Sequence, residues 1–370
     1  MCPSLRSRSC SGASRCSVRA LCVACTVGLS LAGLPASAQQ ARPSALAIDS
    51  ATAVDVTVDE NGNDVTGVFL DSSIAADLGH GFQGLVRPQV QRLSGSGEWN
   101  RQIWVADIRY ERPGRVGFRV EGGYIPSPVG LANLTLRPQV NPTISQPAEL
   151  FTSIPSLELR GPRINLLGGI YPLGAQATVS ARHWDGRVAV IDNSPLRLRR
   201  VFSPVNPPRF TNVVLGAGVT PVVGLRIGAS VTQGGWMRAG ESPAITADRD
   251  ARIVTVESEL AFRHTSLAGE WVHDALETSF GNRTAAGWYV QGAQTLTPRW
   301  FVAGRVEQIR TTLPLAVPAE QNFKSTEQTL GYRITPELTL RVSHRAREPF
   351  GGDSFAHTAA VSIVWYKRWM

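Results

Sequence analysis

The chain has 370 residues, 43% of them hydrophobic and 18% charged, with a formal net charge of +8. That charged fraction lies below the roughly 25% of a soluble globular domain, yet no run of 18 apolar residues is present to cross a bilayer as a helix. Apolar and aromatic residues along the whole length argue against a disordered chain.

Residues 1–38 read as a cleavable signal peptide. Arg6, Arg8, Arg15 and Arg19 form a positive first region, and Ala20 to Leu34 is apolar. Ala36-Ser37-Ala38 is a small-x-small cleavage site, which makes Gln39 the first mature residue. All five cysteines, Cys2, Cys10, Cys16, Cys22 and Cys25, lie in this leader. The processed chain therefore has no disulfide framework and no thiolate for a metal. The leader also holds four of the 37 basic residues and none of the 29 acidic ones, so the remainder carries +4. Charge of that size implies no nucleic-acid partner, and no cofactor motif is present.

Residues 39–60 are taken as an N-terminal segment and 61–370 as a barrel. From there on, apolar and polar residues alternate. Trp104, Ala106, Ile108 and Tyr110 oppose Val105, Asp107, Arg109 and Glu111. Val116, Phe118 and Val120 oppose Arg115, Arg119 and Glu121. The same pattern recurs at Leu225 to Thr232, Val254 to Arg263 and Leu338 to Arg345. Period two gives a strand with one apolar face. The runs are about 8–12 residues long, and about 9–11 residues carry a tilted strand across a bilayer.

Connections alternate in length. Short turns are predicted at Leu78-Gly79-His80, Pro113-Gly114, Tyr171 to Gly174, Asp192 to Pro195, Thr220 to Gly224, His264 to Ser266, Leu296 to Pro298 and Thr335 to Glu337. Longer loops are predicted at 93–100, 124–162, 203–211, 233–250, 275–284, 311–325 and 346–354, with Trp184-Asp185-Gly186 a compact exception. Short turns on one rim and long loops on the other are the layout of outer-membrane barrels. The fold class is thus all-β, a transmembrane antiparallel β-barrel of sixteen to eighteen strands. The count is eighteen if Ala53 to Val58 is a strand, and sixteen if neither it nor Leu196 to Phe202 is.

A sheet in hydrocarbon must close, because each unpaired backbone group costs several kcal/mol. At this strand number the interior is too wide for side chains to fill. Segment 124–162 is the longest connection and is rich in proline, so it is the candidate to fold inward and narrow the lumen. Trp104, Tyr110, Trp271, Trp288, Tyr289, Trp300, Phe301, Trp365, Tyr366 and Trp369 are assigned to aromatic interface belts.

The last strand, Ala359 to Trp369, alternates Val361, Ile363 and Trp365 and is similar to the closing signal of outer-membrane proteins. Gly287 to Gln291, Leu296 to Trp300 and Ala303-Gly304-Arg305 resemble the phosphate-selective porin O/P family, as do Arg333 to Leu340 and Gly123 to Leu131. The resemblance runs across residues 60–370. It implies an outer-membrane protein inserted by the barrel assembly machinery, surrounded by outer-membrane lipid and assembled as a homotrimer. It also implies a porin that passes small hydrophilic or anionic solutes. The family's phosphate ladder is rich in Lys, and this chain has only Lys324 and Lys367, so phosphate selectivity is not carried over.

Period two turns Arg87, Arg109, Arg119, Arg182, Arg226, Arg305 and Arg341 toward the lumen. It also turns Asp107, Glu121, Glu257, Glu259, Glu270 and Glu307 inward. The mixture predicts a transverse field with a weak anion preference. Gly79 to Gly84 fits GxGxxG, but a strand rather than a helix follows it, so no phosphate cradle is formed. His273-Asp274 cannot form a dyad, because neighbours on a strand point to opposite faces. The expectation is a passive diffusion channel and not an enzyme. The alternatives are an outer-membrane barrel enzyme and a structural or adhesion barrel.

Overall fold

The computed structural model describes residues 46–94, 98–158, 161–200, 202, 206–241, 245–312 and 319–369. The predicted leader 1–38 lies outside the described residues. Sixteen strands occupy the described chain: β1 (Leu46–Asp59), β2 (Asp64–Gly79), β3 (Phe82–Leu93), β4 (Trp99–Arg112), β5 (Val116–Tyr124), β6 (Leu173–Ala181), β7 (Trp184–Ile191), β8 (Asn212–Val222), β9 (Leu225–Met237), β10 (Arg249–Phe262), β11 (Thr265–Thr278), β12 (Gly281–Thr295), β13 (Trp300–Thr312), β14 (Glu320–Arg333), β15 (Leu338–Glu348) and β16 (Ala356–Arg368). Each strand pairs antiparallel with its neighbours in sequence. β1 then closes the ring on β16, from Asp49 opposite Arg368 to Asp59 opposite Thr358. Closure leaves no sheet edge, as hydrocarbon demands.

The count is sixteen, although Ala53 to Val58 does lie in the wall as part of β1. The wall therefore begins at Leu46, inside the segment assigned to 39–60. Two predicted short turns are not hairpins. Tyr171 to Gly174 ends one long loop and runs into β6, and Asp192 to Pro195 begins another. The stretches read as strands beside them pack as loop instead. Ile164, Leu166, Leu167 and Ile170 are all buried, a spacing that no one-sided strand allows. Leu196 is buried as well, and residues 197–200 form no strand. The missing turn is Arg182-His183, between β6 and β7, so Trp184 to Gly186 belongs to a strand.

Gly79-His80-Gly81 is the tight hairpin between β2 and β3. Gly79 and Gly81 sit at φ 82° and 87°, where a Cβ is disfavoured. A Cβ on Gly81 would also meet Glu111 O at 2.8 Å.

One aromatic assignment fails through a bulge. The β3–β4 register shifts between Arg87 and Pro88, opposite Val105 and Ile103, and leaves Trp104 unmatched. Pro88 has no N–H for the ladder, so a bulge is where it is tolerated. Trp104 is consequently buried inside the barrel, as are Tyr289 on β12 and Phe301 on β13. Trp271, Trp300 and Trp369 are exposed, as an interface belt requires.

Candidate functional site

The wall is inverted relative to a soluble protein. On β13 the buried positions include Arg305 and Glu307, while Trp300, Val302 and Val306 are exposed. On β15 and β16, Arg341, Ser343 and Ser362 are buried, while Val342, Val361 and Ile363 are exposed. Buried charge with exposed Val and Ile is costly in water. It is the stable arrangement when the outside is lipid and the inside is polar.

Residues 125–158 and 161–172, between β5 and β6, fold into the barrel. They carry the short turn Ala132–Leu136 and the one-turn helix α1, Ala148–Phe151. Ile125, Leu136, Leu150, Ile154, Leu157 and Leu166 form a buried cluster with wall residues Ile253, Val272, Leu276, Ile309 and Phe323. A loop in such a place must have its backbone groups paired, and the charged wall does this. The Glu270 carboxylate accepts the backbone N–H of Leu131 and of Ala132, both at 2.9 Å. Glu307 accepts Ala148 N–H at 2.8 Å, and Glu327 accepts Ile144 N–H at 2.9 Å. Arg305 donates to the carbonyls of Ser145 and Gln146, each at 3.0 Å. It also pairs with Glu307 at 3.2 Å and Glu327 at 3.3 Å. Arg341 donates to the carbonyls of Asn141 at 2.7 Å and Thr143 at 2.9 Å. Loop residue Arg137 pairs with Asp49 of β1, two strands along the ring from Arg341 of β15.

Glu149, on α1, is the exception. It is buried, and neither carboxylate oxygen has a hydrogen-bond partner among the described residues. Burial pushes its pKa well above the ordinary 4.5, and the nearby carboxylates of Glu270, Glu307 and Asp274 push it further.

A second set of charges, on β4 to β10, touches no described part of the loop. Arg226 of β9 pairs with Asp185 at 2.9 Å and with Glu257 at 2.6 Å, and Arg187 joins Glu257 at 3.4 Å. Arg109 lies 3.5 Å from Asp107, and Arg119 lies 3.7 Å from both Glu111 and Glu121. Glycines leave room for these side chains to lie flat. A Cβ on Gly216 would meet Arg187 at 2.6 Å, and one on Gly218 would meet Arg226 at 2.7 Å. The Arg119 side chain is 30% exposed, against 1% for Arg305. Arg119 is therefore open to water, while Arg305 lies under the loop.

Of the predicted residues, Arg109, Arg119 and Arg226 are half-buried on this part of the wall and pair with the buried carboxylates of Asp107, Glu121 and Glu257, with Glu259 half-buried beside them. Glu270, Arg305, Glu307 and Arg341 hold the loop. Arg87 sits apart. It binds Asp71, donates to Tyr171 Oη at 2.8 Å and lies 5.0 Å from the Trp104 ring centre. Arg182 does not line the lumen, because it is exposed in the β6–β7 turn. Its place is taken by Arg187, hidden by the reading of 184–186 as a connection. Glu327 and Asp71 were also missed, although both sit at polar positions of alternating runs. Nothing in the sequence marks Glu149, whose surroundings come from three distant strands.

No family model matches the sequence, and no curated protein matches it. Solved structures do match the fold. OmpF of Salmonella typhi, solved with daunomycin, aligns with a TM-score of 0.61 at 10% identity, over 87% of this chain and 97% of that one. The anion-selective porin of Comamonas acidovorans aligns at 0.54 and 11% identity, over 88% and 99%. OmpT, an outer membrane protein of Vibrio cholerae, aligns at 0.56 and 10%, over 88% and 99%. The chain has the fold of outer-membrane porin barrels. At these identities the likeness carries the fold alone, and it does not single out the phosphate-selective O/P family.

Proposed function

We propose that this protein is an outer-membrane porin, a passive diffusion channel for small hydrophilic solutes. The observation that carries the reading is the polar interior of the closed wall: a loop is latched to charges on β11 to β15, while on β4 to β10 half-buried arginines pair with buried carboxylates. Passage is set by the width left beside the loop and by the field of the β4–β10 charges, with no covalent chemistry. The ion pairs of that wall largely cancel. The weak anion preference therefore rests on Arg199 and Arg200, in the 192–211 loop on the long-loop rim, which have no carboxylate partner among the described residues.

A homotrimer fits one further feature. Gln328, His344 and His357 share the outward face with Val342 and Val361 and are exposed. His344 lies 3.3 Å from Gln328 and 3.2 Å from His357, whose backbone N–H donates to Glu60. A polar track on the lipid face is costly unless another copy covers it. In planar bilayers the purified protein should give ohmic openings in groups of three equal steps. In a salt gradient, its reversal potential should favour chloride over potassium. Absence of conductance would end the channel reading, and cation preference would end the anion reading.

A further inference from the structure

Arg109, Arg119, Arg187, Arg226, Arg305 and Arg341 of the inner wall are committed to carboxylates or to loop carbonyls. Three others ring a cavity of about 90 Å³ at the long-loop rim, where the end of the inward loop meets the 192–211 loop. Trp104, Tyr124, Tyr171 and Leu198 line it, together with Arg199, Arg200, Arg209 and Asp192. Trp104 and Tyr171 are stacked, with ring centres 5.1 Å apart. Arg209 is matched to Asp192 at 3.4 Å. Arg199 donates one N–H to Pro207 O at 2.6 Å, which leaves its other donors uncommitted among the described residues. The segment carrying Arg200 is braced by Asn206, whose amide accepts the Arg200 N–H at 2.9 Å and donates to the Arg200 carbonyl at 2.8 Å. The Arg200 guanidinium and the remaining donors of Arg199 thus stand beside an aromatic and apolar floor.

From this cavity we infer a solute-docking site at the outer mouth that takes small monocarboxylates carrying a flat apolar ring. The inference rests on the porin reading for its purpose, since a site at the mouth concentrates solute before passage. Arginine offers a paired N–H fork that matches a carboxylate, and the ring surface fills the aromatic floor. The volume admits several waters or one small ring. Arg209 already matches Asp192, so Arg199 and Arg200 supply the charge for an anion, and the aromatic floor, which inorganic phosphate leaves unfilled, selects the ring.

Isothermal titration of the purified protein in detergent tests this without requiring conduction. The probes are benzoate, acetate, benzyl alcohol and inorganic phosphate. Benzoate should bind about tenfold tighter than each of the others, since acetate and phosphate lack the ring and benzyl alcohol lacks the charge. The double variant Arg199→Gln/Arg200→Gln should weaken benzoate by about tenfold or more. Arg182→Gln, in the distant short turn, should not change it. Folding of each variant is checked by its β-sheet circular dichroism, and the comparison of probes on the unaltered protein stands without any variant. Phosphate binding as tightly as benzoate would overturn the ligand class. Benzoate affinity unchanged in the double variant would overturn the placement, and no benzoate heat at millimolar concentration would overturn the site. A protein that binds benzoate but passes no current keeps this site and loses the channel; one that conducts without binding does the reverse.

Discussion

Arg305→Ala should release the constriction loop and raise the single-channel conductance. The guanidinium holds two loop carbonyls and two buried carboxylates at once. Removing it leaves Glu307 and Glu327 buried without their cation, a loss of about 3–5 kcal/mol for a broken buried pair. The barrel hydrogen bonds do not pass through Arg305, so that cost falls on the docked loop. The loop should then leave its seat, and the channel should pass larger sugars in liposome-swelling assays. Unchanged conductance and size cut-off would show that the apolar cluster holds the loop without the charges.

Glu149 should make loop docking depend on pH, with a sign opposite to that of a surface carboxylate. Its pKa is raised on folding by burial and by the carboxylates around it. The folded state therefore holds the proton more tightly than the unfolded one. The stabilising contribution is complete below about pH 4.5 and is lost as pH rises toward the raised folded value. One proton gives a slope of up to about 1.4 kcal/mol per pH unit in that window. Glu149→Gln mimics the neutral acid and should flatten the slope. Thermal unfolding between pH 5 and 9 compares the two. The variant should match the parent at pH 5 and be more stable at pH 9. Parallel curves would mean that Glu149 does not titrate within this range.

Local alternation revealed the wall, because a one-sided strand writes its two faces into every second residue. Val302 and Val306 against Arg305 and Glu307 show this directly, as do Val342 and Val361 against Arg341 and Ser362. The strand number falls within the expected sixteen to eighteen, but a strand was misplaced where apolar spacing served the loop rather than the wall, at Ile164 to Ile170. Parity failed at Trp104, where a proline on the neighbouring strand opens a bulge that no single-strand pattern reveals. The inward loop was legible from its length and proline content. Its latches were legible only as inward charges, since nothing in the spacing says that Glu270 would meet Leu131 rather than a basic neighbour. The cavity at the mouth joins β4, the end of the loop and the 192–211 segment, which only the closed ring brings together.

Adjacent cysteines on one strand test the wetted lumen most directly. A version of the chain beginning at residue 39 contains no cysteine, so Arg119→Cys and Val120→Cys each carry a single thiol. Arg119 is a half-buried charge on β5, and its neighbour Val120 is an exposed apolar residue. A membrane-impermeant cationic methanethiosulfonate, added during single-channel recording, should modify the first and step its current down, while leaving the current of the second unchanged. If both thiols behave alike, or if neither protein carries current, the picture of a charged aqueous passage inside a lipid-facing wall is wrong.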